Sequence, residues 1–155
     1  MTRKLKIYFD TTIPNYLFHD DTPEKMEITH LFWEICKSGK YDIFVSPVFF
    51  REMNDCPQPK LGQIYDMLGL IAFEELDETD EVRALAAEYI RNGVLTKSSY
   101  ADCLHVAHAV VGSCDFVVSW NYDHLVKVKT IQGVKVVNVA NWYNEIGIVT
   151  PEMLI

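Results

Sequence analysis

Asp10, Glu52 and Asp102 are far apart in the chain, yet each closes or follows a short apolar run. Asp10 ends Lys6-Ile7-Tyr8-Phe9, and Glu52 follows Ile43-Phe44-Val45-Ser46-Pro47-Val48-Phe49-Phe50. Asp102 opens Asp102-Cys103-Leu104-His105-Val106-Ala107-His108, and a fourth apolar run, Phe116-Val117-Val118-Ser119-Trp120, ends in Asn121. In an open parallel sheet, residues at the carboxyl ends of strands converge on one crevice. Carboxylates gathered there repel one another unless a hard cation neutralises them. Magnesium or manganese prefers such oxygen ligands, keeps several waters and often bridges to substrate phosphate. The expected chemistry is hydrolysis of a phosphodiester, with Asp10, Glu52 and Asp102 holding the ion.

Each residue also has a plainer explanation. A strand-end aspartate such as Asp10 is a common helix cap, although the hydroxyls of Thr11 and Thr12 suit a carboxylate or a bound water equally well. Glu52 lies among Phe49, Phe50 and Met53 and either points inward, where a buried carboxylate needs a partner, or is an exposed helix residue. In Asp102-x-x-His105-x-x-His108 the first two share a helix face, while position i+6 is turned away. His105 is thus expected to hydrogen-bond Asp102, and His108 to be a satisfied histidine against Val106, Ala107 and Ala109. No glycine-rich phosphate loop, nucleophile elbow or dinucleotide fingerprint is present.

The 155 residues are expected to form one domain, with the 49% hydrophobic and 23% charged composition of an ordinary globule. A net charge of −8 argues against coating nucleic acid by electrostatics alone. It leaves room for a local basic patch, for which Arg3, Lys4 and Lys6 or Lys127, Lys129 and Lys135 are candidates, against the plainer reading of a solvated surface. No apolar stretch reaches the ~18 residues of a bilayer span. Asp10 cuts short the apolar run after the basic start, so a cytosolic protein without a signal-peptide core is expected. The four cysteines form no C-x-x-C pair, and Cys103 and Cys114 read as buried small hydrophobes.

Strand-length apolar runs alternate with helical periodicity, which predicts an α/β domain with a mainly parallel sheet. Strands are expected at 5–9, 43–46, around 70–73, at 116–120 and at 134–139. Helices are expected from Pro14 to Phe18, from Pro23 to Gly39 behind Thr22, and from Pro47 behind Ser46. Further helices are expected at 61–68, after Thr79, and after Ser98-Ser99, where the helix carries Asp102 and ends at Gly112. A helical turn is expected at 124–126, and residues 141–155 read as a short helix and a tail.

In this order and spacing the chain resembles the PIN-domain nucleases, especially the VapC-like toxins of type II toxin–antitoxin pairs. The likeness rests on Tyr8-Phe9-Asp10-Thr11-Thr12, Val45-Ser46-Pro47-Val48-Phe49-Phe50-Arg51-Glu52, Ala101-Asp102-Cys103-Leu104-His105-Val106-Ala107 and Asp115-Phe116-Val117-Val118-Ser119-Trp120-Asn121. The resemblance implies a three-layer α/β/α sandwich, an acidic pocket for one or two Mg²⁺ or Mn²⁺ ions, and cleavage of RNA. It places Asp10, Glu52 and Asp102 at three of the family's acidic positions. The fourth, usually an aspartate, is Asn121 here; that is a departure, but Asn121 can still offer an oxygen or orient a metal-bound water and so help place the ion, and Asp123 is the nearest replacement for the missing charge. The resemblance also implies homodimers and a cognate antitoxin, which would block the pocket with an inserted Arg or Lys. Trp33, Trp142 and Tyr143 are candidates for an interface or for the core. Two other readings are a catalytically degenerate PIN-fold binding protein and a haloacid-dehalogenase-type phosphatase with Asp10 as nucleophile. The latter lacks the second aspartate, because Thr12 stands there.

Overall fold

The computed structural model describes residues 3–155. Five parallel strands form one sheet in the order β3-β2-β1-β4-β5: β1 Lys6–Phe9, β2 Asp42–Val45, β3 Glu74–Glu75, β4 Phe116–Val118 and β5 Gly147–Val149. Seven helices connect or flank them: α1 Thr12–Tyr16, α2 Pro23–Lys37, α3 Pro47–Met53, α4 Lys60–Leu68, α5 Asp80–Arg91, α6 Tyr100–Val111 and α7 Val128–Ala140. The strand order reverses between β1 and β4, so the crevice at their carboxyl ends is the topological switch point.

Alternation along each strand divides the core into two layers. Tyr8, Phe44, Val117 and Ile148 face α5, α6 and α7. Ile7, Phe9, Ile43, Val45, Val118 and Val149 face the side packed by Ile13 and Leu17, by Phe32 and Trp33 of α2, and by Ile64 and Leu68 of α4. Helix α3 joins the layers, with Val48 in the first and Phe49 and Met53 in the second. The domain is a three-layer α/β/α sandwich on an all-parallel sheet.

Three expectations from the sequence need correction. The run 134–139 is not a strand but the second half of α7. Its valines mimic a strand, yet burial falls on Thr130, Val134, Val137 and Asn138, a helical spacing, while Val136 and Val139 are 67% and 61% exposed. Residues 141–155 instead supply β5 and a single 3-10 turn, Pro151–Leu154. Strand β5 can approach β4 closely because residue 147 is glycine: a Cβ there would lie 2.5 Å from the Phe116 ring. The strand expected at 70–73 is displaced to Glu74–Glu75, whose exposed glutamates carry no apolar signal, while Ile71 is buried from a loop. Thr79 caps α5, accepting from Val82 N–H at 3.2 Å, but the residues expected as caps, Thr22, Ser46 and Ser99, make no capping bond with their side chains.

Candidate acidic site

Asp10 follows β1 at the switch point and is 3% exposed. Its N–H continues the ladder to Val118 O at 3.3 Å, which sets the carboxylate beside the end of β4. Oδ1 accepts from the Thr12 N–H at 3.0 Å and from the Thr12 hydroxyl, and Oδ2 accepts from Ser119 Oγ. Burial pushes the carboxyl up to about 6, against the lowering effects of the His105 charge and these hydrogen bonds. The pocket therefore holds a costly anion that no Lys or Arg neutralises by an ion pair among the described residues.

Glu52 reaches the crevice from the last turn of α3, whose start is set by Ser46-Pro47. Its Oε1 is hydrogen-bonded by His105 Nε2 and, at 3.5 Å, by Thr11 Oγ1. Burial raises its pKa, but the hydrogen bond and charge of His105 outweigh that and hold the carboxyl below its usual range. A carboxylate only accepts, so Nε2 carries a proton. His105 is 1% exposed, and its Nδ1 is 2.7 Å from the Tyr8 hydroxyl, which lies 2.6 Å from Ser46 Oγ. A buried polar chain, Ser46–Tyr8–His105–Glu52, thus crosses from β1 and β2 through α6 to α3.

Asp102 lies in the first turn of α6, half-buried. Burial raises its pKa, the charges of His105 and His124 lower it, and Glu52 raises it further. The three expected carboxylates therefore share one electrostatic environment, with His105 acting on all of them. No group of three or more His, Cys, Asp or Glu side chains among the described residues is arranged to hold a metal ion. Asp10, Glu52 and Asp102 could serve an ion that takes only one or two carboxylates and fills its shell with water, as magnesium does.

Asn121 lies at the crevice, but its side-chain oxygen accepts from His124 N–H at 3.0 Å, and its N–H donates to Ser119 Oγ at 2.9 Å. Here it shapes the turn after β4. Asp123 is exposed and lines the same cavity as Asn121. His105 bonds Glu52 rather than the expected Asp102. His108 is buried as expected but only half satisfied: Nε2 meets Glu78 Oε1 at 3.4 Å and Nδ1 has no partner.

The basic residues near the start belong to the other end of the sheet. Arg3 pairs with Asp115 at 2.7 Å, Lys4 lies 3.9 Å from Asp42, and Lys6 Nζ donates to Gly112 O at 3.2 Å. Lys135 pairs with Glu145 at 3.4 Å. Lys25 of α2, which composition did not single out, lines the cavity that Thr12 and Asn121 also line. Tyr8 and Ser119 were likewise missed as supports of the site, whereas the Thr12 hydroxyl bonds Asp10 as expected. Tyr8 had a signal: a hydroxyl inside a fully apolar strand must find a buried partner.

No family model matches the sequence, and no curated protein matches it. Among solved structures, a chain of VapBC2 from Rickettsia felis, crystallised bound to a DNA fragment from their promoter, is similar. It is 12% identical, with a TM-score of 0.58 over 94% of this chain and 98% of that one. Likeness at that identity speaks to architecture, and the chain has a PIN-like α/β/α fold.

Proposed function

We propose that this protein is a metal-dependent endoribonuclease that hydrolyses RNA phosphodiester bonds as the toxin of a toxin–antitoxin pair. One observation carries the reading: Asp10 at the β1/β4 switch point, Glu52 and Asp102 all feel the charge of His105, and none of the three makes a Lys or Arg ion pair among the described residues. The donor set suits Mg²⁺ or Mn²⁺, being all oxygen and anionic, with one acceptor position left on Asp10 Oδ2. Asp10 and Asp102 would hold the ion, with Glu52 on its rim. Such an ion supplies Lewis acidity and offsets charge developing on the phosphoryl oxygens.

The chain's own residues prepare that chemistry. Thr12 and Ser119 fix both oxygens of Asp10, so the carboxylate does not reorganise. His105 keeps Glu52 ionised and aimed, and is itself held by Tyr8. The half-exposed side chain of Glu52 can meet a water or a ribose hydroxyl. A cognate antitoxin would silence the pocket by inserting an Arg or Lys among these carboxylates. The fold shared with VapBC2 supports a partner of that kind.

The test is cleavage of RNA in Mn²⁺ or Mg²⁺ by the wild type, Asp10→Asn and Asp102→Asn. Loss of at least about a hundredfold in both variants is expected, on the scale of removing a preorganised charge. Equal cleavage by all three would end the proposal. A second reading, a degenerate PIN-fold binding protein, is favoured by Asn121, whose side-chain oxygen is engaged in the turn. It predicts no RNA cleavage in any divalent ion.

A further inference from the structure

Beside Asp10 lies a cluster that the acidic chemistry does not use. Tyr16, Trp120 and Tyr122 surround Lys25, whose Nζ is 6.0, 5.7 and 4.8 Å from their ring centroids. Tyr16 stacks with Trp120 at 5.8 Å and 21°. The Trp120 ring is locked by its indole N–H on Thr29 Oγ1 at 2.9 Å. These side chains line a cavity of about 330 Å³ that Thr12, Asn121 and Asp123 complete. The link to the acidic site is direct: Trp120 N–H donates to Thr12 Oγ1 at 2.8 Å, and the same hydroxyl donates to Asp10.

Two facts distinguish this from an internal cation–π cluster. Tyr122 is 43% exposed beside an open cavity, while Trp120 behind it is 3% exposed. Lys25 forms no ion pair with any described carboxylate, in a chain of net charge −8. A partly exposed ring next to an ammonium with no carboxylate partner matches the two halves of a nucleotide, base and phosphate. A base inside a duplex has both faces covered and cannot stack on a side chain, so the ligand must be single-stranded. Asp123, which can only accept, suits a ribose hydroxyl rather than a phosphate.

We infer that Tyr122 and Lys25 form a nucleotide subsite flanking the acidic site, with an unstacked base of single-stranded RNA on Tyr122 and its phosphate on Lys25. The inference rests on the ribonuclease reading for the identity of the strand, and binding can be measured apart from cleavage.

The experiment is fluorescence anisotropy with a short, labelled single-stranded RNA in EDTA, followed by cleavage of the same RNA after Mn²⁺ is added. Tyr122→Ala should weaken binding roughly ten- to hundredfold. Tyr122→Phe, which keeps the ring, should bind as the wild type does, and thermal melting checks that each variant is folded. Lys25→Gln should lower the slope of log affinity against log salt by about 0.7, one phosphate contact on a single strand. Equal binding by wild type and Tyr122→Ala, including binding by neither, overturns the subsite, whatever the cleavage result. Tyr122-dependent binding without cleavage leaves the subsite standing and refutes the ribonuclease reading alone.

Discussion

Removing the charge at Asp10 should stabilise the protein while abolishing what the charge is for. The carboxyl titrates at about 6 in the fold against an ordinary 3.8, chiefly because it is buried. For an acid whose folded pKa is raised, the folded state binds the proton more tightly, so stability is full below the unfolded pKa and falls as pH rises through the folded one. The rise from 3.8 to about 6, at about 1.36 kcal/mol per pH unit, costs about 3 kcal/mol at pH 8 and only about 1 kcal/mol at pH 4.5. Asparagine keeps the Thr12 bonds through its oxygen, and its amide can donate to Ser119 Oγ with the direction of that bond reversed. In urea unfolding with EDTA present, Asp10→Asn should therefore gain on the wild type by about 2 kcal/mol between pH 4.5 and pH 8. For a domain of this size the gain corresponds to a melting shift of roughly 4–8 °C. Divalent ion should shrink the gap by stabilising only the wild type. A stability difference that stays constant with pH would refute the claim that Asp10 is held as a desolvated anion.

The same geometry makes other outcomes testable. Tyr8→Phe strips the hydroxyl from His105 Nδ1 and Ser46 Oγ, leaving buried polar atoms unpaired; a loss of about 1–3 kcal/mol in chemical denaturation is expected, with reduced RNA cleavage. Gly147→Ala places a Cβ against the Phe116 ring and should cost about 1–3 kcal/mol by overpacking, read as a lower denaturation midpoint. The helical assignment of 128–140 predicts that Val134→Ala, at a 2% exposed site, costs about 2 kcal/mol. Val136→Ala, at a 67% exposed site, should change stability by less than about 0.5 kcal/mol. Were the segment a strand, positions 134 and 136 would share a face and respond alike.

The central strands were legible because β1, β2 and β4 are short, mainly apolar runs, and Asp10 marks where β1 stops. The carboxyl-end rule then set Asp10 at the switch point between β1 and β4 without any knowledge of contacts. The edges of the sheet were not legible. Strand β3 is two exposed glutamates, recognisable only through their pairing with Phe44 and Val45. The valines of α7 carry a strand preference that its amphipathic packing overrides, and once 134–139 is misread, β5 at 147–149 has no place in the order. Within the site, nothing in the i, i+3 spacing of Asp102 and His105 reveals that the imidazole turns to Glu52. That choice is made by Tyr8, 97 residues away in sequence, whose hydroxyl holds the other nitrogen.

The most direct measurement is isothermal titration of Mn²⁺ into the wild type and into Asp10→Asn and Asp102→Asn. If the carboxylates share one ion, the wild type should take up Mn²⁺ saturably, and either substitution should weaken that binding at least about tenfold. Titration curves that are identical for all three proteins, or a wild type with no more affinity than scattered surface carboxylates, would contradict a shared cation site.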